Sequence, residues 1–143
     1  MISTVLIVDD DVALRTAIAE AFEGLGYATQ TAANGCEAMR ISVVEPADLV
    51  ITDIFMPVKD GIELILELRQ FLHIPKIIAI SGGGMRCGKQ ALDMAKLLGA
   101  DAIMPKPLNL DTLVRLGARL MEDRADELMR NWRAPPRSPR AAA

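Results

Sequence analysis

The chain has 143 residues, 51% of them hydrophobic and 24% charged, which suits one domain with enough length to bury a core and speaks against two. Aromatic residues make up only 3%, so that core must be built from Leu, Ile, Val, Ala and Met, a profile that favours α/β layers over a β-sandwich. Behind the formal net charge of −3, residues 1–129 carry 12 basic and 19 acidic side chains, whereas residues 130–143 carry Arg130, Arg133, Arg137 and Arg140 and no acid.

Thr4–Val8 is a β-branched run that stops on Asp9-Asp10-Asp11. Leu14, Ile18, Ala21, Phe22 and Leu25 then recur at helical spacing, and Gly24 and Gly26 close that helix. Residues 27–32 alternate small apolar and polar side chains, as an edge strand does. Asn34-Gly35 opens a second helix to about Val44, with Pro46 as its stop. Leu49 to Ile51 form a buried run that ends on the lone carboxylate of Asp53, after which Pro57 and Asp60-Gly61 break the chain. Residues 62–71 read as a third helix. Residues 76–80 are another buried strand, ending on Ser81-Gly82-Gly83-Gly84, and Ala91, Met94, Ala95 and Leu98 mark a fourth helical face. Residues 101–104 make a short fifth strand that ends on Pro105-Lys106-Pro107. The last helix starts after Asn109, its N-cap, with Leu110, Leu113, Val114, Leu120 and Met121 on the buried side.

Five strand-then-helix alternations imply right-handed crossovers and a parallel sheet with helices on both faces. All strands of such a sheet point one way, so Asp9 to Asp11, Asp53, Ser81 and Lys106 meet at one edge, where open α/β sheets bind ligands. Taken alone, Asp53 is equally a turn or helix-cap acid. Taken together, carboxylates about 4 Å apart repel by roughly 4 kcal/mol per pair at an effective dielectric near 20. Lys106 offsets part of this. With no His or Cys nearby, the all-oxygen donor set points to a hard divalent cation, most simply Mg²⁺. A carboxylate surrounded by Mg²⁺, a lysine and a hydroxyl has the parts for phosphoryl transfer, with Asp53 as the nucleophile that forms an acyl phosphate. The plainer reading is an acidic surface patch with one ion pair.

Val5-Leu-Ile-Val-Asp9-Asp10-Asp11, Asp53-Ile-Phe-Met-Pro57-Val-Lys-Asp60-Gly61, Ser81 and Lys106-Pro107, in this order on the strand ends, closely resemble the receiver domain of two-component response regulators. The resemblance spans residues 4 to about 121. It implies a flavodoxin-like fold with strand order 2-1-3-4-5, the order quoted for chemotaxis receivers. It also implies that Asp53 is the phosphoacceptor, Asp10 a direct Mg²⁺ ligand, Asp9 an acid that binds the metal or its water, and Phe55 the residue whose backbone carbonyl completes the coordination. Ser81 matches the hydroxyl that turns toward the phosphoryl group, and Lys106 the lysine that pairs with a phosphoryl oxygen. Pro107 suggests a cis Lys-Pro bond. Asp11 has no implied role. The implied partners are a sensor histidine kinase or histidine phosphotransfer protein and a downstream protein target. Slow self-dephosphorylation follows, with a conformational change, and possible homodimerisation, on the face of helix four, strand five and helix five.

The chain departs from the pattern at Ile103, where many receivers carry the Tyr or Phe that switches rotamer with the hydroxyl residue, so Ser81 has no aromatic partner in signal output. That departure favours an alternative, a receiver-like module that docks a partner without phosphorylation. The segment from Ser81 to Lys106 is a few residues long, with the surplus in residues 82–88, read as a mobile loop. Gly83 to Lys89 also fits G-x-x-x-x-G-K, but Gln90 stands where a P-loop needs Ser or Thr. A haloacid-dehalogenase-type phosphatase needs a second acid two residues after its nucleophile, and residue 55 is Phe.

Cys36 and Cys87 lack CxxC spacing and read as reduced thiols, and the single His73 lies in a loop, which leaves little material for a zinc site or a histidine triad. No apolar run reaches the roughly 20 residues of a membrane span, and a cytoplasmic location is expected. Residues 1–121 are read as a stand-alone receiver. Residues 122–143 are read as an extended end of the last helix, stabilised by i,i+4 pairs, then a disordered Pro/Arg/Ala tail. Trp132 is expected to pack locally or on a partner. Four arginines without a recognition helix or zinc motif do not make a nucleic-acid site.

Overall fold

Two apolar runs without polar alternation, Thr4–Val8 (β1) and Leu49–Asp53 (β3), form the centre of a five-stranded parallel sheet. Their burial on both faces explains why they lack the in-out alternation of a half-exposed strand. The computed structural model describes residues 2–56, 58–82 and 85–132, and only the backbone of residues 85–88. Around the two central strands lie β2 (Ala28–Ala32), β4 (Lys76–Ser81) and β5 (Ala102–Pro105), in the order β2-β1-β3-β4-β5. The intervening helices are α1 (Val12–Glu23), α2 (Gly35–Val44), α3 (Gly61–Leu68), α4 (Met85–Leu98) and α5 (Leu110–Asn131). The parallel sheet with helices on both faces is the one expected from the alternation, and the flavodoxin-like strand order is the one implied by the resemblance.

The sheet divides the core. Leu6, Val8, Val50, Ile77 and Ala79 face α2, α3 and α4 through Ala38, Leu64, Leu68, Leu92 and Ala95. Val5, Ile7, Leu49, Ile51, Ile78 and Ile80 face α1 and α5 through Ile18, Phe22, Leu113 and Met121. Each fully buried Leu, Ile, Val or Phe contributes about 1.5–3 kcal/mol of transfer free energy, and both layers depend on the same strands. Gly117 lets α5 lie close, since a Cβ there would meet Leu49 and Phe22 at 2.8 Å.

Several boundaries differ from those read in the sequence. Helix α3 stops at Leu68 instead of residue 71, because the amides of Gln70 and Phe71 turn to carbonyls three residues back and tighten the chain. Helix α4 already begins at Met85, so residues 85–88 are helix instead of loop. That also removes the wrapping loop a P-loop needs across Gly83–Lys89; Gly83 and Gly84 themselves lie outside the described residues, as does Pro57. The buried stripe of α4 runs through Leu92 and Ala95, which leaves Met94 at its margin, 54% exposed. Asp101 precedes β5 and accepts the Ile77 amide at 2.8 Å.

The far end of α5 is held by other elements. Arg124 pairs with Asp48 at 2.8 Å and donates to the Ile74 carbonyl at 3.2 Å, and Lys76 pairs with Glu127 at 3.1 Å. These cross-element bonds replace the expected i,i+4 pairs. Trp132 caps the helix and is 65% exposed, while the expected tail lies outside the described residues from 133 onward. None of the described helices is long and apolar enough to cross a membrane. His73 is exposed in the turn before β4, as read.

Gly61 is the tightest backbone contact near the sheet's carboxyl edge. A Cβ there would collide with the Asp53 carbonyl oxygen and the Ile54 backbone. The Gly61 amide also donates to the Ile54 carbonyl at 2.9 Å. We expect Gly61→Ala to lower the unfolding free energy in urea by about 1–3 kcal/mol. A wild-type midpoint would show that the β3–α3 connection yields at no cost.

Candidate functional site

The carboxyl edge gathers its groups through strand register. Val8 pairs with Thr52, Asp53 with Ile80, and Ser81 with Pro105, so the tips of β1, β3, β4 and β5 end at one level. The residue after β1 and the last residue of β3 are therefore acids side by side. One carboxylate oxygen each from Asp9, Asp10 and Asp53 lie within 4.8 Å of one another. Asp9 is fully buried, Asp53 is 5% exposed and Asp10 is exposed.

Each buried acid is held by specific donors. Asp53 Oδ1 accepts the Phe55 amide at 3.1 Å, and Oδ2 accepts from Lys106 Nζ at 2.9 Å. Asp9 Oδ1 accepts the Asp11 amide at 2.9 Å. Asp9 Oδ2 lies 3.2 Å from Lys106 Nζ, close enough for an ion pair but not aligned as a hydrogen bond, and is otherwise buried without a partner. Burial raises the Asp9 carboxyl above its usual pKa, with the Asp53 charge adding to the rise; the Asp11 amide and Lys106 oppose it. For Lys106 burial works to lower the pKa, but the combined bonds and charges of Asp53 and Asp9 outweigh it and the net direction is upward. The site is thus a charged cluster with one cation for several anions.

The other sequence-derived residues stand around this cluster. Ser81 is buried at the tip of β4, its Oγ has no hydrogen-bond partner among the described residues, and its carbonyl accepts the Lys106 amide at 2.9 Å. Phe55 is 48% exposed and keeps its backbone against Asp53. The Lys106-Pro107 bond is cis, as read. Ile103 is half-buried in β5 and packs on the core layer that holds Leu92 and Ala95. Asp11, without a role in the sequence reading, is the N-cap of α1 and accepts the Leu14 amide. Cys36 is a free thiol in the first turn of α2, and the side chain of Cys87 lies outside the described residues.

Three contributors were not read from sequence. Arg15 donates from Nη1 to the Asp9 carbonyl at 2.9 Å, and its signal was a base one turn past the Asp11 cap. Gly82 makes room for the Lys106 stem, since a Cβ would meet Lys106 Cδ at 2.9 Å. Val58 adopts φ 73°, a conformation that is costly for a β-branched residue, in the connection that follows Asp53.

The donor set suits a hard cation. Oxygens bound to one Mg²⁺ at 2.0–2.1 Å stand at most about 4.2 Å apart, so the three carboxylates, within 4.8 Å, need only small adjustments. The unpartnered Asp9 Oδ2 is the kind of buried atom a cation would satisfy.

Comparisons with known proteins agree with this geometry. The chain is 35% identical over 112 residues to Sporulation initiation phosphotransferase F of Bacillus subtilis, covering 76% of this chain and 86% of that protein. It is 34% identical to the Transcriptional regulatory protein CpxR homolog of Haemophilus influenzae, covering 75% of this chain but only 45% of that longer protein. A solved receiver domain protein (CheY-like) from Methanospirillum hungatei superposes with a TM-score of 0.81 at 26% identity, covering 89% of this chain and 99% of that one. The family model of the response regulator receiver domain matches residues 5–116, and the chain belongs to that family.

Proposed function

We propose that the chain takes a phosphoryl group from a phosphohistidine, on a sensor histidine kinase or a histidine phosphotransfer protein, onto Asp53. The observation that carries this reading is the Asp53 carboxylate, buried at the tip of β3, bound by Lys106 and flanked by Asp9 and Asp10. An Asp53 oxygen attacks phosphorus as the P–N bond to the imidazole breaks, and the imidazole keeps the bonding electrons. Lys106 moves from Asp53 to a phosphoryl oxygen. The Ser81 hydroxyl, without a partner among the described residues, donates to another. Asp9, Asp10, Asp53 and the Phe55 carbonyl would hold Mg²⁺. When bound, Mg²⁺ neutralises charge shared between carboxylate and phosphoryl oxygens. Slow hydrolysis of the acyl phosphate at the same site returns the chain to its starting state.

Residues 1–121 form the signalling unit, and the output is contact with a downstream protein or onward transfer in a phosphorelay. The printed name of the Bacillus subtilis relative, a phosphotransferase of which the match covers 86%, supports that reading. A self-contact through α4, β5 and α5 belongs to the same proposal. Ile103 supports a second reading, a docking module that works unphosphorylated, because no aromatic at that position links Ser81 to the surface. The chemistry itself does not pass through Ile103.

Intact mass after incubation with acetyl phosphate tests the first reading. We expect a gain of one phosphoryl group in wild type with Mg²⁺, none in EDTA and none in Asp53→Asn, and labelling slowed on the order of 10²-fold in Lys106→Ala. An unlabelled wild type beside a labelled control receiver gives the docking module the lead.

The metal site makes a separate prediction about stability. Because the folded pKa of Asp9 lies above the unfolded value near 3.8, the folded chain binds that proton more tightly. Its contribution to stability is complete below the unfolded value and is lost as pH rises through the folded one. In EDTA near neutral pH, Asp9→Asn is expected to unfold at a higher urea midpoint than wild type, with the difference vanishing in acid. Added Mg²⁺ should stabilise wild type more than the variant. A variant that is less stable than wild type in EDTA would contradict the crowding argument.

A further inference from the structure

The open edge of the sheet on the β1 side is an uncharged strand whose sequence reads the same in both directions, Ala28-Thr29-Gln30-Thr31-Ala32. Among the described residues β2 pairs only with β1. The Ala28 amide reaches the Ser3 carbonyl, and the Ala32 carbonyl accepts the Asp9 amide. Residues 28, 30 and 32 therefore turn their backbone groups toward β1, and alternation turns those of Thr29 and Thr31 outward. The strand has no lysine, proline or inward charge, the usual guards of an edge. At its centre, Gln30 Oε1 is buried without a hydrogen-bond partner among the described residues, and its amide nitrogen makes a long 3.4 Å contact to the Glu45 carbonyl. Gln30 lies in an open groove of about 640 Å³ between β2 and α2, with Ile41 and Val44 on the helix side.

We propose that this edge pairs with the β2 edge of a second copy of the chain, antiparallel, about a two-fold axis at Gln30. The palindrome supplies the register. Thr29 faces Thr31 of the partner subunit as a hydrogen-bonded pair, exchanging both N–H···O=C bonds, and the axis repeats the exchange. Gln30 then faces Gln30 of the partner subunit as the non-hydrogen-bonded pair, where the two Cα atoms approach to about 4.5 Å and side chains come closest. There each side-chain amide can donate to the other's unpartnered Oε1. Small alanines flank the contact. Such a pairing is isologous, so it uses up the edge and closes as a dimer instead of growing a fibre. It also sends the carboxyl edges of the two sheets in opposite directions, which leaves both Asp53 sites open.

A five-residue pairing buries less than the roughly 800 Å² per partner of a standard interface, so a reversible monomer–dimer equilibrium is expected. Sedimentation velocity of the full chain over a wide concentration series should show it. Gln30→Glu and Gln30→Lys each set like charges face to face and should weaken self-association about fivefold or more, and an equal mixture of the two should restore it as a heterodimer. Circular dichroism checks that both variants fold. If either does not, Thr31→Lys at an exposed position of the same edge decides, its loss of the dimer supporting the proposal. A wild type that stays monomeric at every concentration overturns it. So does a dimer that these edge substitutions leave unchanged, which would place the contact elsewhere, for instance at α4, β5 and α5.

Discussion

One ammonium group shared between two buried carboxylates is the interaction on which the site depends. Lys106 Nζ lies 2.9 Å from Asp53 and 3.2 Å from Asp9. Without it, two acids removed from water would face each other across a few ångströms, where repulsion of several kcal/mol has little solvent to screen it. The Lys106 pKa is shifted upward against its own burial, because the bonds and charges of Asp53 and Asp9 favour the ammonium form. Asp10 adds a third carboxylate. Among the described groups of this cluster the balance remains negative, which is the condition under which an all-oxygen donor set suits a hard cation.

Delivering that lysine is the task of the shortest strand. β5 spans only Ala102–Pro105, and its register against β4 sets Pro105 beside Ser81. The Lys106 amide then bonds the Ser81 carbonyl, and Gly82 clears the path of the side chain. On the other side, Gly61 allows the start of α3 to touch the Asp53 backbone. The two apolar layers fix the sheet, the sheet fixes the heights of its tips, and these two glycines permit the close approaches. The charges are positioned by parts of the chain that carry none.

Much of this was legible in the sequence for physical reasons that act locally. Uninterrupted runs such as Val5 to Val8 and Leu49 to Ile51 identify strands buried on both faces, and Asn34 and Asn109 identify helix starts because their side chains cap free amides. Once all strands are parallel, their tips must share an edge, so Asp9, Asp53, Ser81 and Lys106 converge whatever the details. What was not legible depends on contacts distant in sequence. The helical start of α4 at Met85 goes against the glycines around it, and no local signal announces it. The far end of α5 looked like a helix stabilised by its own charges, yet Arg124 and Glu127 bond to Asp48 and Lys76, partners that only the folded sheet brings near. The orphaned Oε1 of Gln30 likewise needs the fold to bury it.

The route from the site to the surface follows from what surrounds Ser81. A rotamer switch needs a side chain with two wells separated by open space. Ile103, β-branched and packed on the layer of Leu92 and Ala95, is restricted at χ1 and has core on one side. What still joins the tip of β4 to its neighbours is main chain: the Lys106 amide on the Ser81 carbonyl, and the ladder that pairs Ala79 with Ile103 and Ser81 with Pro105. The backbone of α4 begins four residues after Ser81. The tip of β4 is therefore tied to β5 through the backbone, with no side-chain rotamer of residue 103 needed to link them.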